Sequence, residues 1–166
     1  LGRAVGARLS RLGARVALWD LDEARLAAAA EEILRESGRA PLVCALDAAD
    51  RRAVRSAAER VRRELGPVDL LDNNAGVVAV GDFARCAEDD ADRMVDVNLK
   101  SYLWCTREFL PELLERGSGH IVMIASAAGL LGVPGMAVYS ATKHAVIGFA
   151  ESLRLELRKR GSGVGI

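Results

Sequence analysis

Apolar and polar positions along the chain follow two periods, one typical of helices and one typical of buried strands. Short runs that are apolar throughout predict strands covered on both faces. Between them, apolar residues recur every three or four positions, which predicts amphipathic helices. The predicted strands cover 15–19, 41–46, 68–73, 121–125 and 164–166, and the predicted helices cover 2–12, 23–36, 50–65, 90–116 and 137–160.

Strands and helices therefore alternate along the whole chain. Parallel strands require such crossover helices, and apolar strands of this kind have helices on both faces of the sheet. We expect a single α/β domain over residues 1–166, with a doubly wound parallel sheet. The chain starts at Leu1 rather than at a methionine and stops at Ile166 within a strand pattern. We therefore expect a fragment whose sheet is incomplete at both ends.

Composition and charge narrow the class of protein. The 166 residues are 51% hydrophobic and carry 23 basic and 23 acidic side chains. This balance excludes a disordered chain and disfavours a nucleic-acid-binding protein, which usually has a basic face. The three cysteines have neither disulfide nor metal-site spacing, which predicts a reducing cytoplasm and no metal. Residues 121–139 carry no charge, but Gly129 and Pro134 interrupt them, so we expect no membrane span.

In open parallel sheets, ligands bind beyond the carboxyl ends of the strands. Asp20 ends the strand at 15–19, about 20 residues after Gly2, where an acid can bind the adenosine ribose of a dinucleotide. Such an acid would also repel the 2′-phosphate of NADP. Asp20 and Glu23 also fit a capping box at the start of the helix over 23–36. The residues alone leave both interpretations open.

Tyr139 and Lys143 are four residues apart, so they share one face near the start of a long helix. A phenol has a pKa of about 10, which a neighbouring lysine cation lowers by favouring phenolate. Such a pair can act as a general acid or base on an alcohol or carbonyl. The same spacing also occurs by chance on ordinary helix surfaces.

Other polar residues follow the strands in the same region. Ser126 follows the most apolar strand, and its hydroxyl could donate to a substrate oxygen on which charge develops. Asn98 lies within a predicted helix, where its side chain would compete with the backbone unless it has another role.

With these residues the sequence resembles the short-chain dehydrogenase/reductase family, in its single-domain branch. The resemblance extends over essentially the whole chain and implies a Rossmann-like fold. Leu1-Gly2 is similar to the end of the family's glycine-rich turn. The matching segments are Asp47-Ala48-Ala49-Asp50, Asn73-Asn74-Ala75-Gly76, Asn98, Ser126 and Tyr139-Ser140-Ala141-Thr142-Lys143.

The resemblance implies a role for each matching residue. Tyr139 would be the catalytic acid/base, and Lys143 would lower its pKa and hold the nicotinamide ribose. Ser126 would orient the substrate oxygen, and Asn98 would position a proton-relaying water. The residues implied in cofactor binding, besides Tyr139 and Lys143, are Gly2, Asp20, Asp47, Ala48, Asn74, Ala75 and Gly76.

Some residues depart from the family pattern or fit ordinary structural roles. Asp72 stands where the family usually has an aliphatic residue, and an unpaired carboxylate in a covered strand is costly. We expect His120 in a loop and Lys100 in solvent. Cys105 is expected in the core because no base accompanies it.

Together these features predict an oxidoreductase that transfers a hydride between NAD(H) and a secondary alcohol or ketone. NAD(H) is expected in preference to NADP(H) because of Asp20. The apolar segment 130–136 suggests a hydrophobic substrate, and the family's habit of pairing its long helices suggests a homodimer or homotetramer. Two alternatives stay open: an NADP-dependent reductase of carrier-bound 3-ketoacyl chains, and a dinucleotide-binding protein without catalysis.

Overall fold

The computed structural model describes all residues from Leu1 to Ile166, in two compact units, Leu1–Val68 and Asp69–Ile166. Both units combine parallel strands with helices. This arrangement confirms the α/β class that the alternating pattern predicts, whereas the expectation of a single domain stays a prediction.

The first unit contains two strands and three helices. Its strands are parallel, with Ala17 aligned with Leu42, and two of its helices begin at aspartate caps, Asp22 and Asp50. Apolar residues of the last helix, including Ala57 and Val61, cover the strands. The elements are α1 (Gly2–Arg11), β1 (Ala17–Asp20), α2 (Glu23–Ser37), β2 (Leu42–Ala45) and α3 (Arg51–Leu65).

The second unit contains three parallel strands in the order β3-β4-β5. Its core joins Leu113, Ile121 and Leu157, each at most 3% exposed, so the helices cover the sheet with their apolar faces. The elements are β3 (Leu70–Asn73), α4 (Glu88–Val95), α5 (Ser101–Arg116), β4 (Gly119–Met123), α6 (Ala137–Lys159) and β5 (Val164–Gly165).

The region predicted as one helix over 90–116 is not a regular α-helix throughout. The break is a π-helical segment, Asp96–Lys100, between α4 and α5, and Pro111 lies inside α5. A π-turn accommodates an extra residue and is frequent at functional sites. The apolar pattern over 90–116 predicts one continuous helix and does not mark this segment.

Short 3₁₀-helices, Phe83–Arg85 and Ala127–Gly129, lie in the loops that follow β3 and β4. None of the helices between Leu1 and Ile166 is long and apolar enough to cross a membrane.

Candidate active site

Lys143 is a buried cation at the centre of the second unit. It lies in α6, is 3% exposed, and donates from Nζ to the carbonyl oxygen of Ile124 at 2.7 Å. Burial lowers the pKa of Lys143 below its usual value. A buried ammonium must be held by specific partners, because its desolvation is costly.

Two aromatic rings flank this ammonium. Lys143 Nζ lies 5.9 Å from the centre of the Tyr139 ring and 5.3 Å from the centre of the Tyr102 ring. Both distances are within the range in which a ring face attracts a cation. The structure therefore brings together Tyr139 and Lys143 as their spacing predicts, and adds Tyr102 from α5.

Asn98 has the separate role that its place in a helix requires. Its side chain is fully buried in the π-segment, where Oδ1 accepts from Val77 N–H at 2.8 Å. Nδ2 donates to the Val77 carbonyl at 2.9 Å and to Thr142 Oγ1 at 3.2 Å. Thr142 in turn donates to the Tyr139 carbonyl at 2.7 Å. Asn98 thus ties the loop after β3 to the first turns of α6.

Gly76 lies beside the same groups. A Cβ built on Gly76 would lie 3.5 Å from Asn98 Oδ1 and 3.8 Å from Lys143 Nζ. Among the predicted residues that end β3 or follow it, Asn74 is half-buried, whereas Ala75 and Gly76 are exposed. The predicted segment therefore reaches the buried lysine through its last residue.

Ser126 is half-buried and caps the 3₁₀-helix after β4, with Oγ accepting from Ala128 N–H at 3.2 Å. Accepting this bond leaves the hydroxyl hydrogen available to donate. The same loop packs closely against α6 at Gly129, where a Cβ would lie 2.7 Å from the Lys143 carbonyl oxygen. A side chain would not fit there, so Gly129 allows the serine loop to approach the lysine backbone.

In the first unit, Asp20 ends β1 and is exposed. The helix cap is Asp22, which accepts from Arg25 N–H at 3.0 Å, and Asp20 Oδ1 accepts from Asp22 N–H at 2.9 Å. The capping-box interpretation of Asp20 is therefore wrong, because the cap lies two residues later.

The other predicted residues of the first unit also follow its strands or open its helices. Asp47 and Ala48 follow β2 and are half-buried, with Asp47 Oδ1 accepting from Ala49 N–H at 2.9 Å. Gly2 is the first residue of α1. Asp50, the second acid of the segment Asp47-Ala48-Ala49-Asp50, is the N-cap of α3 and so has a local structural role.

Several residues outside the site have ordinary environments. Burial raises the pKa of the Cys105 thiol to about 12, which fits a core residue rather than a nucleophile. Lys100 is exposed and paired with Asp96 at 2.6 Å. His120 is exposed, although it lies within β4 rather than in the predicted loop.

The sequence analysis missed Tyr102 as a site residue, and it gave Thr142 only as part of the matching segment, without a role. Tyr102 is four residues after Asn98, and it is one of only two tyrosines in the chain. That rarity, together with the spacing, is a signal that could have identified it. Thr142 carries no comparable signal, since its role depends on the approach of Asn98 from another helix.

Comparison with known proteins gives concordant matches. The chain matches the short chain dehydrogenase family over residues 1–166. Epidermal retinol dehydrogenase 2 of Mus musculus is 39% identical over 99% of this chain and 53% of its own length. The 2-dehydro-3-deoxy-L-rhamnonate dehydrogenase (NAD(+)) of Sphingomonas sp. (strain SKA58) is 43% identical over 97% of this chain and 63% of its own length. The chain thus spans between half and two thirds of these relatives.

A solved structure agrees with the sequence matches. The short chain dehydrogenase/reductase of Burkholderia phymatum in complex with NAD superposes with a TM-score of 0.94 at 35% identity. The superposition covers 99% of this chain and 58% of that protein. On the match over its whole length, the chain belongs to the short-chain dehydrogenase/reductase family.

Proposed function

We propose that the full-length protein transfers a hydride between NAD(H) and a secondary alcohol or ketone with a hydrophobic body. The observation that carries this proposal is the buried Lys143 ammonium, 5.9 Å from the Tyr139 ring. A cation in this position stabilises negative charge that develops on the phenol oxygen while a proton is transferred. The pair can then exchange a proton with a substrate oxygen.

In the oxidation direction, ionised Tyr139 accepts the proton of the substrate hydroxyl, and in reduction the Tyr139 hydroxyl returns it. The cofactor, when bound, supplies the hydride chemistry. Ser126 donates its free hydroxyl hydrogen to the substrate oxygen and orients it. Asn98 keeps the loop after β3 and the start of α6 together, which holds Lys143 and Tyr139 in place. We also propose that Asn98 positions a water that relays protons through Lys143.

Preference for NAD(H) rests on Asp20. The carboxylate is exposed at the end of β1, and it does not cap α2, because the cap is Asp22. It can therefore accept hydrogen bonds from the two free hydroxyls of a ribose. Asp47 and Ala48 would contact adenine, Asn74 and Ala75 would line the ribose side, and Gly2 would lie at the pyrophosphate. The Sphingomonas relative carries NAD(+) in its name, which agrees with this choice.

A hydrophobic substrate is supported by apolar side chains on two loops of the second unit. Val80 and Phe83 follow β3, Leu130 and Leu131 follow β4, and each of the four is 67–71% exposed. Gly81 N–H donates to the Gly135 carbonyl at 2.9 Å and joins the two loops. These loops follow the strands that lead to Gly76 and Ser126, so an apolar substrate body could lie against them. The mouse relative is named for retinol, an apolar alcohol.

We further propose a cytoplasmic homodimer or homotetramer. All three cysteines are free, which fits a reducing compartment. An apolar groove between α5 and α6, lined by Trp104, Leu110 and Phe149 among others, could seat the same groove of a second copy.

The test is steady-state turnover of the full-length protein with secondary alcohols and NAD, followed by NADH absorbance. Tyr139→Phe should lower kcat by about 10²–10⁴-fold while NADH affinity stays near that of the wild type. Lys143→Ala should lower kcat as well, weaken NADH binding and move the acidic limb of the pH–rate profile to higher pH. Lys159→Ala, at the exposed end of α6, is the matched control and should change neither.

Each other result has a definite meaning. Near-normal turnover of Tyr139→Phe would contradict the assignment of the acid/base. Turnover only with NADPH and carrier-bound 3-ketoacyl chains would favour that reductase, and NADH binding without turnover would favour a non-catalytic protein.

A further inference from the structure

Tyr102 contacts the group on which the proposed chemistry depends. Its ring is 1% exposed, and the Lys143 ammonium lies 5.3 Å from the ring centre, closer than to the Tyr139 ring. The lysine therefore lies near two aromatic rings from two helices.

The hydroxyl of Tyr102 adds a second link to the same group. It donates to the Ile124 carbonyl oxygen at 3.2 Å, and the same oxygen accepts from Lys143 Nζ at 2.7 Å. A carbonyl oxygen has two lone pairs and can accept both bonds. Tyr102 and Lys143 thus converge on one acceptor at the end of β4.

The two tyrosines differ in chemistry. Burial raises the pKa of Tyr102 well above its usual range, and the nearby Asp72 carboxylate and Tyr139 raise it further. Tyr102 therefore stays a neutral phenol at any working pH and cannot replace Tyr139 as a base. A neutral ring keeps the face that attracts a cation and the hydroxyl that donates to Ile124.

We propose that Tyr102 is a positioning residue, which keeps the Lys143 ammonium charged and in place through its ring face. This role rests on the proposed function, because the charge matters through Tyr139. It accounts for a feature that burial alone leaves unexplained. The lysine is 3% exposed, yet its ammonium contacts one carbonyl oxygen and the two tyrosine rings.

The first test separates ring electronics from packing. Tyr102→Phe keeps the ring, and 4-fluoro-, 3,5-difluoro- and 3,4,5-trifluorophenylalanine at the same position weaken its negative face with little change in shape. The pKa of Lys143 is read by NMR of ¹⁵N-labelled lysine in the full-length protein, with Lys143→Arg assigning the signal. We expect Tyr102→Phe to stay close to wild type and fluorination to lower the Lys143 pKa stepwise, by about 0.5–1.5 units in all. A series without any trend would overturn the proposal.

The second test uses turnover. Tyr102→Leu should lower kcat and move the acidic limb of the pH–rate profile to higher pH, and Tyr102→Phe should restore both. Phe109→Leu is the matched control, since it removes a ring that is 2% exposed from the same helix. It should lower thermal stability without moving the limb. If Tyr102→Leu and Phe109→Leu had the same acidic limb in the pH–rate profile, Tyr102 would have only a packing role.

The two proposals fail in different ways. An inactive wild-type protein would contradict the proposed function, yet the NMR series would still decide whether Tyr102 holds the lysine charge. An active protein with a flat fluorination series would contradict the role of Tyr102 alone.

Discussion

Asn98 and Val77 form a closed pair, in which the asparagine amide accepts from the Val77 N–H and donates to the Val77 carbonyl. The pair joins the π-segment to the loop after β3. Because both backbone groups of Val77 are satisfied by one side chain, the loop conformation depends on Asn98.

Asn98→Ala should therefore loosen this loop and destabilise the fold. Removing the amide leaves two backbone groups without partners and costs about 1–3 kcal/mol for each group that stays buried. Urea unfolding measures the free energy, and hydrogen exchange at Val77 measures the local effect. Unchanged exchange at Val77 would show that the loop is held by other contacts.

Asp20 should determine coenzyme choice. Asp20→Ser removes a charge that would face the 2′-phosphate of NADP, and a repulsion of about 1 kcal/mol at 4 Å in water corresponds to roughly fivefold in kcat/KM. The ratio of kcat/KM for NADH over NADPH should fall by at least that factor. Asp22→Ser is the control, because it replaces one capping residue with another and should leave the ratio unchanged. A wild-type preference for NADPH would refute the assigned role.

Asp72 should reduce stability at neutral pH. It is half-buried in β3, Oδ1 has no hydrogen-bond partner, and burial raises its pKa from the ordinary value of 3.8. A raised pKa means that the folded state holds the proton more tightly than the unfolded state. Stability contributed by the protonated carboxyl is therefore lost as pH rises from 3.8 through the folded-state pKa.

Asp72→Asn removes the charge and keeps the shape, so it should be more stable than wild type at pH 7. The difference should shrink as the pH falls toward 3.8, where the wild-type carboxyl takes up its proton. Urea unfolding at several pH values measures it. A variant that is less stable than wild type at pH 7 would mean that the carboxylate has a favourable partner in the full-length protein.

Gly129 and Gly132 offer a paired test of the serine loop. Gly129→Ala would place a methyl group 2.7 Å from the Lys143 carbonyl oxygen, whereas a Cβ at Gly132 meets nothing within 4 Å. Overpacking of this kind costs about 1–3 kcal/mol. Gly129→Ala should lower both the melting temperature and kcat, and Gly132→Ala should alter neither. Identical behaviour of the two variants would exclude close packing as the reason for Gly129.

Association should involve the groove between α5 and α6. Phe149 lines this groove and is half-buried, whereas Leu153, which also borders the groove, is 7% exposed and packs in the core. Light scattering of the full-length protein should show a dimer or tetramer, and Phe149→Arg should reduce the mass. Leu155→Arg changes an exposed leucine of the same helix and is the control. A monomeric wild type would refute the interface.

The α/β class, the order of the elements and the Tyr139–Lys143 pair could all be predicted from the residue pattern. These features are local: periodicity reports which face is buried, and a spacing of four residues on a helix fixes which side chains share a face. The surroundings of Lys143 could not be predicted in this way, because they depend on how distant segments pack. Different helices and loops supply Tyr102, Ile124 and the Asn98–Val77 pair. No local sequence pattern specifies the distances between them. The N-cap of α2 could not be predicted either, because Asp20 and Asp22 are both acids near the helix start and the backbone conformation makes Asp22 the cap.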